Sequence, residues 1–548
     1  MAAINISSEF FNHDAQAGGF FPDTHINKTF DVGRFVQERG KNYIIEGIRG
    51  TGKTHILKMI AEEYFNNFNR NRVLPIYFSL AQVSEWTGDK KLFRLQLYTQ
   101  IVLKSVQVIE QYPQIKNAQN LQNSDVKSKS VEKLREMFYV KEQKNFDLLI
   151  REIHELSEKL ISKLTFNPGE IDLRSSSTGN LDAEAKFNAG IASSKVQGNA
   201  EIAKEQQIEL IGRTLSHENA AQFILEYFKE IKKILSLSFS LILLDEVSEM
   251  DADSQIEIFR LLKVIRSAND IDPQRNYMYF VAAVYPPQST FYPSKENSGP
   301  FNFDPGHDAT MEYLELDENL DEYEDFFKNL TEKRIEHIEN KNHHKFDNYL
   351  SIFDEDKTFA LAAYAANGIP RRYLELLKQA YENLQQRTAS LSDSSDILKM
   401  TSRDIEQGIQ TVVSSQIITA RIKTGERKIL DGIAANFERR NKKQETENKT
   451  KSEPVPSTVY FTVSHTNLDL LSGLITQGAI HDKGRTRSRK YYREEGSRGE
   501  IMNLDLAVAI YHNAINKNRA VDIFRNELKS IAKGGYVWCQ EFDIEQFK

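Results

Sequence analysis

A glycine-rich octapeptide holds the residues of this sequence that are best suited to chemistry. It fits G-x-x-x-x-G-K-[ST], a loop whose backbone N–H groups surround phosphate groups. The glycines allow the backbone to approach a polyanion closely, the lysine supplies positive charge to the β- and γ-phosphates, and the final hydroxyl ligates Mg²⁺. The pattern predicts binding of ATP or GTP with Mg²⁺. The expected contacts are Gly47, Ile48, Arg49, Gly50, Thr51, Gly52, Lys53, Thr54 and the adjacent His55.

Two adjacent acids follow an apolar run much later in the chain. Residues 241–244 are all apolar and predict a strand at the centre of a sheet, and Asp245 and Glu246 come directly after them. At the end of such a strand, Asp245 would hold Mg²⁺ through water and Glu246 would activate the attacking water. An acidic pair after a strand can also cap a helix, but the loop upstream favours the catalytic interpretation.

The segments around these motifs predict an α/β fold with a parallel sheet. Apolar runs typical of buried strands alternate with stretches of helical period, and this alternation is the pattern of strand–helix–strand units. The strands are predicted at 43–45, 73–80, 237–244 and 277–284, and the helices at 55–65, 91–112, 217–235 and 254–267.

We divide the chain into five segments on this basis. Within the insertion, residues 166–205 form either a hairpin of small side chains or a polar insert. The segments are a first part of the sheet domain at 1–112, an insertion at 113–216, a second part of the sheet domain at 217–310, an all-helical lid at 311–400 and a C-terminal domain at 401–548 with a solvated linker or loop at 438–453.

Composition indicates a globular protein of the cytoplasm. The chain has 548 residues, of which 40% are hydrophobic and 27% charged. No apolar run approaches the ~20 residues of a membrane span, and the first residues lack the pattern of a secretion signal. The single cysteine, Cys539, excludes an internal disulfide and a thiolate metal cluster. We therefore expect a cytoplasmic protein without a membrane partner.

Together, the loop and the acidic pair resemble those of the AAA+ ATPases, in which GTGKT (here 50–54) and LLDE (here 243–246) are usual. The segment GIPRRYLELL at 368–377 resembles the second-sensor segment of the lid in the origin-recognition and helicase-loader clade. The resemblance implies a three-layer P-loop core that uses ATP and ADP. It also implies that Arg371, or next Arg372, reaches the γ-phosphate. Pro370 resembles the Gly-x-Pro proline that packs against nucleotide in the STAND signalling ATPases.

Two departures from the AAA+ pattern stand out. After the strand at 277–284 the family usually has a polar first sensor, and only Tyr285 or Gln288 could serve here. No arginine occurs between Arg275 and Arg334, where the family has its arginine finger, so that Arg266, Arg275 or Arg334 would have to take over. Because a finger stabilises the transferring phosphoryl group, we expect slow hydrolysis, as in a switch rather than a motor.

The C-terminal third carries a strongly basic segment. Residues 421–500 contain 17 Lys and Arg against 11 Asp and Glu, although the whole chain has a net charge of −7. The order helix, strand, helix, basic hairpin resembles a winged helix. Clustered cations beside Tyr491 and Tyr492 suit contacts to the phosphates of double-stranded DNA, whereas the alternative is a solvated or partner-binding loop. The predicted DNA contacts are Lys483, Arg485, Arg487, Arg489, Lys490 and Arg493.

Three functions are compatible with these motifs. The first is an AAA+ switch with slow Mg²⁺-dependent ATP hydrolysis that couples nucleotide state to DNA or partner binding through the winged helix. The second is a STAND-like ATPase of bacterial antiviral defence that acts with a separate effector protein. The third is a transposition-regulator ATPase that assembles on DNA. We expect a protein partner or effector, and a homo-oligomer in one nucleotide state.

Overall fold

The computed structural model describes most of the chain. Its larger gaps are 116–150, 158–171, 176–205, 210–216, 286–302, 390–396, 486–499 and 529–539, with shorter stretches elsewhere. Most of the alternating segment predicted as a hairpin or polar insert lies outside the described residues. The strands at either end of its larger gap, Asp172–Ser175 and Gln206–Glu209, pair antiparallel.

The strands fall into two larger sheets and two short pairs. They are β1 (Ala2–Ala3), β2 (Tyr43–Glu46), β3 (Val73–Ser79), β4 (Asp172–Ser175), β5 (Gln206–Glu209), β6 (Phe239–Asp245), β7 (Met278–Val284), β8 (Thr310–Tyr313), β9 (Ile397–Leu398), β10 (Tyr460–Val463), β11 (Ile480–Arg485), β12 (Glu500–Leu504) and β13 (Gln540–Glu541).

Helices cover the first large sheet and make up the region that follows it. They are α1 (Val32–Gln37), α2 (Lys53–Asn66), α3 (Phe68–Asn71), α4 (Lys90–Gln111), α5 (His217–Ile234), α6 (Ala252–Ile271), α7 (Pro305–Asp308), α8 (Tyr323–Asn342), α9 (Asp356–Ala365), α10 (Pro370–Ala389), α11 (Ser402–Thr411), α12 (Thr424–Asn448), α13 (Leu468–Thr476), α14 (Leu506–Tyr511) and α15 (Ala520–Asp522), with π-helical turns at Val412–Thr419 and Ile523–Leu528.

The central sheet is parallel and has five strands in the order β3–β6–β7–β2–β8. Every side chain of β6 and β7 is buried, which explains why both strands are apolar apart from Ser240 and Asp245. Helices α1 and α2 pack together on one face, while α4, α5 and α6 pack against one another on the other. The predicted α/β class with a three-layer parallel sheet is confirmed. Because the strands run in one direction, the segments after β2 and β6 meet at the same edge.

The sheet domain both begins and ends later in the chain than predicted. Strand β8 pairs with β2, so the sheet extends beyond the predicted boundary at 310. At the other end, Ile6 and Phe11 belong to the hydrophobic core of the lid rather than to that of the sheet. The backbone N–H of Ile6 donates to the Tyr381 hydroxyl, and the rings of Phe11 and Tyr381 lie 5.3 Å apart. We call residues 6–26 the N-terminal segment, and its described part packs on the lid.

The lid and the C-terminal domain share one continuous hydrophobic core, instead of forming the separate modules that the sequence suggested. Helix α11, assigned to the C-terminal domain, packs on α10. There Gly408 lies so close that an added Cβ would come within 3.0 Å of the Leu376 carbonyl oxygen. By packing, the lid therefore continues past residue 400 to α11.

The C-terminal domain is built on a mixed sheet, in which β13 is parallel to β10 and the other pairs are antiparallel. Strand β12 lies between β10 and β11 and is antiparallel to both, and β13 adds to the far side of β10. In chain order the elements are α12, β10, α13, β11, β12 and α14. The β11–β12 pair encloses residues 486–499, which hold four of the six predicted DNA contacts and lie outside the described part of the chain.

The prediction of a linker or loop at 438–453 is wrong for most of its length, because α12 continues to Asn448. The apolar face of the helix ends near Phe437, but the next position on that face, Asn441, is 4% exposed. Its amide donates to the carbonyl oxygens of Thr458 and Ala514 at 2.9 and 2.8 Å. A buried polar anchor therefore fixes a turn of helix that has no apolar face.

Within the described residues, no helix combines the length and apolar character needed to cross a bilayer.

Candidate nucleotide site

The glycine-rich octapeptide forms the turn between β2 and α2. Gly50 and Gly52 have φ of 92° and 96°, a backbone conformation that residues other than glycine rarely adopt. Gly52 caps the N-terminus of α2, where free N–H groups and the helix dipole favour an anion. The loop therefore has the backbone of a phosphate-binding turn.

Lys53 lies folded back over this loop. Its Nζ donates to the carbonyl oxygens of Gly47 and Ile48 at 2.5 and 3.0 Å, and lies 3.9 Å from the centroid of the Tyr285 ring. Burial lowers the pKa of Lys53 to about 7, against the attraction of Asp245. A polyanion in the site would favour the charged form and would compete with the loop carbonyls for the ammonium group.

The two acids lie at the end of β6, and each contacts a hydroxyl of the neighbouring strand β3. Asp245 is 2% exposed and accepts a hydrogen bond of 2.8 Å from the Tyr77 hydroxyl. Glu246 follows in the left-handed backbone region, with φ of 64°, and its carboxylate accepts a hydrogen bond from the Ser79 hydroxyl. This carboxylate is therefore engaged by β3, although it lines the cavity described next.

The lid touches the phosphate loop directly at the start of α10. The backbone N–H of Arg371 lies 3.3 Å from the carbonyl oxygen of Gly50, to which it donates. A Cβ added to Gly50 would lie 2.8 Å from the Ile369 side chain, so only glycine fits under the lid here. The side chain of Arg372 turns away from the loop to the C-terminal domain, where it binds Asp505. Between the two arginines, the structure therefore places Arg371 at the site.

A cavity of about 250 Å³ lies between the loop, the acids and the lid. Gly47 and Ile48 do not line it, and Ile48 lies instead at a small cleft beside the C-terminal domain. The predicted residues that do line the cavity are Arg49, Gly50, Thr51, Gly52, Lys53, Thr54, His55, Asp245, Glu246, Pro370 and Arg371.

The cavity also has an apolar end that the sequence did not reveal. Residues of the N-terminal segment, including His25 and Ile26, line it together with Leu330 and Arg334 of α8 and Leu374 of α10. No local motif marks these residues, because the chain brings them together only by packing the N-terminal segment across the lid. The nearest signal was the helical spacing of residues 326, 330 and 334, which could not say what that face contacts.

The candidates for a first sensor and an arginine finger lie in different parts of the structure. Tyr285 lies over Lys53 and donates from its hydroxyl to Glu249 at 3.1 Å. Arg266 lies 3.5 Å from Asp308, outside the cavity lining, and Gln288 and Arg275 lie outside the described residues. Of the two finger candidates that the structure describes, Arg334 lines the cavity and Arg266 does not.

The predicted DNA contacts are only partly described. Lys483 is half-buried on β11 and lines the small cleft with Ile48 of the phosphate loop. Arg485 ends β11, in register with Glu500 of β12. The remaining four, Arg487, Arg489, Lys490 and Arg493, lie outside the described residues.

The donors at the charged end suit a hard cation. Thr54 offers a hydroxyl and Asp245 a carboxylate, and Mg²⁺ prefers such oxygen ligands together with water and phosphate oxygens. Bound there, Mg²⁺ would neutralise charge on the phosphates of a nucleotide. Lys53 would add positive charge at the same place, whereas the Glu246 carboxylate, the predicted base, accepts a hydrogen bond from Ser79.

Comparison with known proteins gives one kind of match. No family model and no curated protein matches the sequence. Among solved structures, the chain is similar to the Aeropyrum pernix ORC2 protein in ADPNP–ADP complexes, with a TM-score of 0.38 and 11% identity over 96% of this chain and 98% of that chain. It is also similar to the A. pernix ORC1 protein in complex with DNA, with a TM-score of 0.33 and 12% identity over 91% and 93%. The likeness is loose, so the geometry of the cavity is the ground for a function.

Proposed function

We propose that this protein is an AAA+-type ATP switch that hydrolyses ATP slowly and passes its nucleotide state to a C-terminal winged helix. One observation carries the proposal. Arg371 lines the cavity with the phosphate loop and the acids, while the next residue, Arg372, binds the C-terminal domain. A shift of α10 on nucleotide binding would therefore move the C-terminal domain as well.

Binding of ATP and ADP is the first step to test. Lys53, Arg49 and Arg371 bring positive charge to the end of the cavity where the loop N–H groups converge. Lys53→Ala removes the buried ammonium and should abolish binding of both nucleotides in calorimetry. Arg371→Met should weaken ATP more than ADP, because the proposed contact is with the γ-phosphate. Equal losses for the two nucleotides would contradict this role of Arg371.

Slow hydrolysis is supported by two features. Glu246 is held by Ser79, and the sequence has no arginine between Arg275 and Arg334 to act as a finger. We expect a Lys53-dependent rate below about 1 s⁻¹ per subunit in the presence of Mg²⁺, at the low edge of ordinary enzyme rates. A faster Lys53-dependent rate, measured against Lys53→Ala, would contradict the proposal of slow hydrolysis.

Coupling to the C-terminal domain is supported by contacts around Gly478. The Arg372 guanidinium donates to the Gly478 carbonyl oxygen at 3.0 Å. A Cβ at Gly478 would lie 3.5 Å from Ile369 and 3.8 Å from Ile48 of the phosphate loop. The C-terminal domain thus touches both the lid and the loop, next to strand β11, which carries Lys483 and Arg485.

The composition of the basic segment supports DNA as the partner. Its cations suit phosphate contacts, and we expect binding with little sequence preference and a strong dependence on salt. Reversal of charge at Arg485, Arg487 and Arg489 should abolish retention of duplex DNA at moderate salt. Unchanged retention would leave a protein partner as the target of this segment.

Pro370 favours a second candidate, a STAND-like signalling ATPase that acts with a separate effector. This proline lines the cavity at the first position of α10, as expected for a proline that packs against nucleotide. Size-exclusion chromatography with ADP and with an ATP analogue, each with and without duplex DNA, separates the candidates. Assembly driven by the ATP analogue alone favours the signalling ATPase, assembly that needs DNA favours a transposition regulator, and DNA binding without assembly favours the switch.

A further inference from the structure

The side chain of Tyr285 covers the ammonium group of the phosphate-loop lysine. Lys53 is 7% exposed. Its Nζ donates to the carbonyl oxygens of Gly47 and Ile48, and the centroid of the Tyr285 ring lies 3.9 Å away. An ammonium group has three N–H donors and no acceptor. Two loop carbonyls and one ring face account for all three donors, so a phosphate oxygen can bind Lys53 only by taking the place of one of these groups.

Tyr285 follows β7, which lies between the strands that carry the two motifs. On one side of β7 is β6, which ends at the acids, and on the other is β2, which leads into the loop. The backbone N–H of Gly47 donates to the carbonyl oxygen of Val284, the residue before Tyr285. The sheet therefore fixes the backbone of Tyr285 beside the loop, and the contact with Lys53 belongs to the sheet domain alone.

Two hydrogen bonds hold Tyr285 to the segment that follows the acids. Its backbone N–H donates to the Ser248 hydroxyl oxygen at 2.8 Å, and its own hydroxyl donates to the Glu249 carboxylate at 3.1 Å. Burial raises the pKa of Tyr285, and Glu249 adds to that effect, so the hydroxyl keeps its proton as a donor. Ser248 and Glu249 belong to the short 3-10 turn directly after Glu246. The Glu249 carboxylate is therefore a tether that holds the ring over Lys53.

Of the three groups around the ammonium, the ring is the one that a phosphate replaces most readily. A hydrogen bond from a charged donor is stronger than a cation–π contact. The two carbonyls also belong to a loop whose path is fixed by glycines in the left-handed region. The ring, in contrast, can leave by rotation of one side chain.

We propose that the Tyr285 ring competes with the phosphates of a nucleotide for Lys53, and that its tether to Glu249 sets how tightly ATP and ADP bind. This proposal rests on the proposed nucleotide site. Tyr285 then acts through Lys53 as a positioning residue and opposes binding, whereas a first sensor would contact the γ-phosphate and favour ATP. The two roles predict effects of opposite sign when the ring is removed.

Calorimetric titration of the full chain with ADP, AMP and a non-hydrolysable ATP analogue tests the competition. Tyr285→Leu should tighten binding of ADP and of the analogue about three- to thirtyfold, as expected when a cation–π contact no longer competes. The affinity for AMP should stay within about twofold, because the loop lysine reaches the β- and γ-phosphates. Weaker or unchanged binding of ADP, or an equal gain for AMP, overturns the proposal.

Tyr277→Leu is the matched control. The Tyr277 ring lies 5.6 Å from Lys232, directly before β7 and at the opposite end of that strand from Tyr285. Its replacement also removes a ring that lies over a lysine, but away from the cavity, so all three affinities should stay as in wild type. A gain like that of Tyr285→Leu would show a general effect of loosening β7 and would overturn the competition.

Tyr285→Phe tests the tether and supplies a second variant if Tyr285→Leu does not fold. It keeps the ring but loses the hydroxyl that binds Glu249. ADP should therefore bind more tightly than to wild type, by a smaller factor than with Tyr285→Leu. A loss of affinity would show that the hydroxyl contacts phosphate and would overturn the competition. An unchanged affinity would overturn the role of the tether.

Fluorine NMR of the full chain with fluorotyrosine at position 285 observes the ring itself. Saturating ADP should shift this resonance, whereas fluorotyrosine at position 277 should not respond. A resonance at 285 that is unchanged by bound ADP overturns displacement of the ring. If wild type binds ADP in a Lys53-dependent way and the Tyr285 variants bind no more tightly, only this proposal fails. If neither wild type nor the variants bind nucleotide, the proposed function fails and this proposal with it.

Discussion

The guanidinium of Arg372 in the lid donates a hydrogen bond to the carboxylate of Asp505 in the C-terminal domain, 133 positions later in the chain. Their side chains are 6% and 0% exposed, and the same carboxylate lies 3.0 Å from the ring nitrogen of His481. Burial alone would raise the pKa of Asp505, but Arg372 and His481 lower it below its usual value. A fully buried ionic cluster therefore fastens the C-terminal domain to α10.

Loss of Arg372 should destabilise the fold strongly, because it leaves Asp505 as a buried charge without its main partner. We expect Arg372→Met to lower the free energy of unfolding by about 3–5 kcal/mol in urea titrations. The double variant with Asp505→Asn should recover most of the loss, since the amide can still cap α14. Arg371→Met is the matched control and should change stability by no more than about 0.5 kcal/mol. Equal losses for the two arginines would contradict the assignment.

Release of Glu246 should accelerate hydrolysis. Ser79→Ala removes the hydroxyl that binds the Glu246 carboxylate, so that this carboxylate can turn more easily toward an attacking water. We expect the rate of ATP hydrolysis to rise by several-fold up to about tenfold, which corresponds to about 1.4 kcal/mol of barrier. Phosphate release under saturating ATP and Mg²⁺ measures it.

Glu246→Gln should abolish hydrolysis with or without Ser79→Ala. A decrease in rate with Ser79→Ala alone would indicate that the serine positions the carboxylate productively.

A second ion cluster at the same boundary gives a dependence on pH. Arg525 of the C-terminal domain binds Glu324 through two hydrogen bonds of 2.7 Å, and Asp356 through a third. Burial would raise the pKa of both acids, but hydrogen bonds and charge from Arg525 lower it. Since the folded pKa values are lowered, this stabilisation is present above about pH 4 and is lost as the pH falls through them.

Arg525→Met should therefore lower the free energy of unfolding at pH 7 by about 1–2 kcal/mol, a modest value because the cluster is partly exposed. The difference from wild type should shrink as the pH is lowered below about 4 in thermal or urea unfolding. A difference that stayed constant down to pH 3 would show that Arg525 acts through packing and not through charge.

The helical extension of α12 depends on one buried amide. Asn441 makes three hydrogen bonds to Thr458 and Ala514, and its replacement leaves buried backbone groups unsatisfied. We expect Asn441→Ala to cost about 2–3 kcal/mol of unfolding free energy. Lys443→Ala, at an exposed ion pair two residues later on the same helix, should cost about 0.5 kcal/mol or less. Similar small losses at both positions would mean that the end of α12 does not anchor the domain.

Local pattern predicted the charged end of the cavity well. The phosphate loop lies directly between a strand and a helix, and the acids directly after a strand, so the parallel sheet brings both to one edge. The same kind of pattern failed where a single polar contact overrides composition. Residues 438–448 have no apolar face, and their helix depends on Asn441, whose partners lie 17 and 73 positions away.

The apolar end of the cavity could not be predicted for a related reason. Arg334 lies 281 positions after Lys53, and its hydrogen-bond partner is a backbone carbonyl, which leaves no trace in side-chain type. Likewise, Arg371 and Arg372 are indistinguishable by residue type. Adjacent helix positions point about 100° apart, so one faces the cavity and the other the C-terminal domain. Only the packing of α10 shows which is which.

The N-terminal segment touches both bodies that enclose the cavity. Lys58 of α2 donates to the carbonyl oxygen of Ala15 at 2.5 Å, the ring of Phe20 lies 5.4 Å from that of His55, and Arg334 of the lid binds Asn12. A nucleotide in the cavity would therefore be enclosed by the N-terminal segment as well as by the lid, since Ala15 and His25 line the cavity together with Arg371. Shortening the N-terminal segment would then change the dissociation rate of a nucleotide more than the strength of its phosphate contacts.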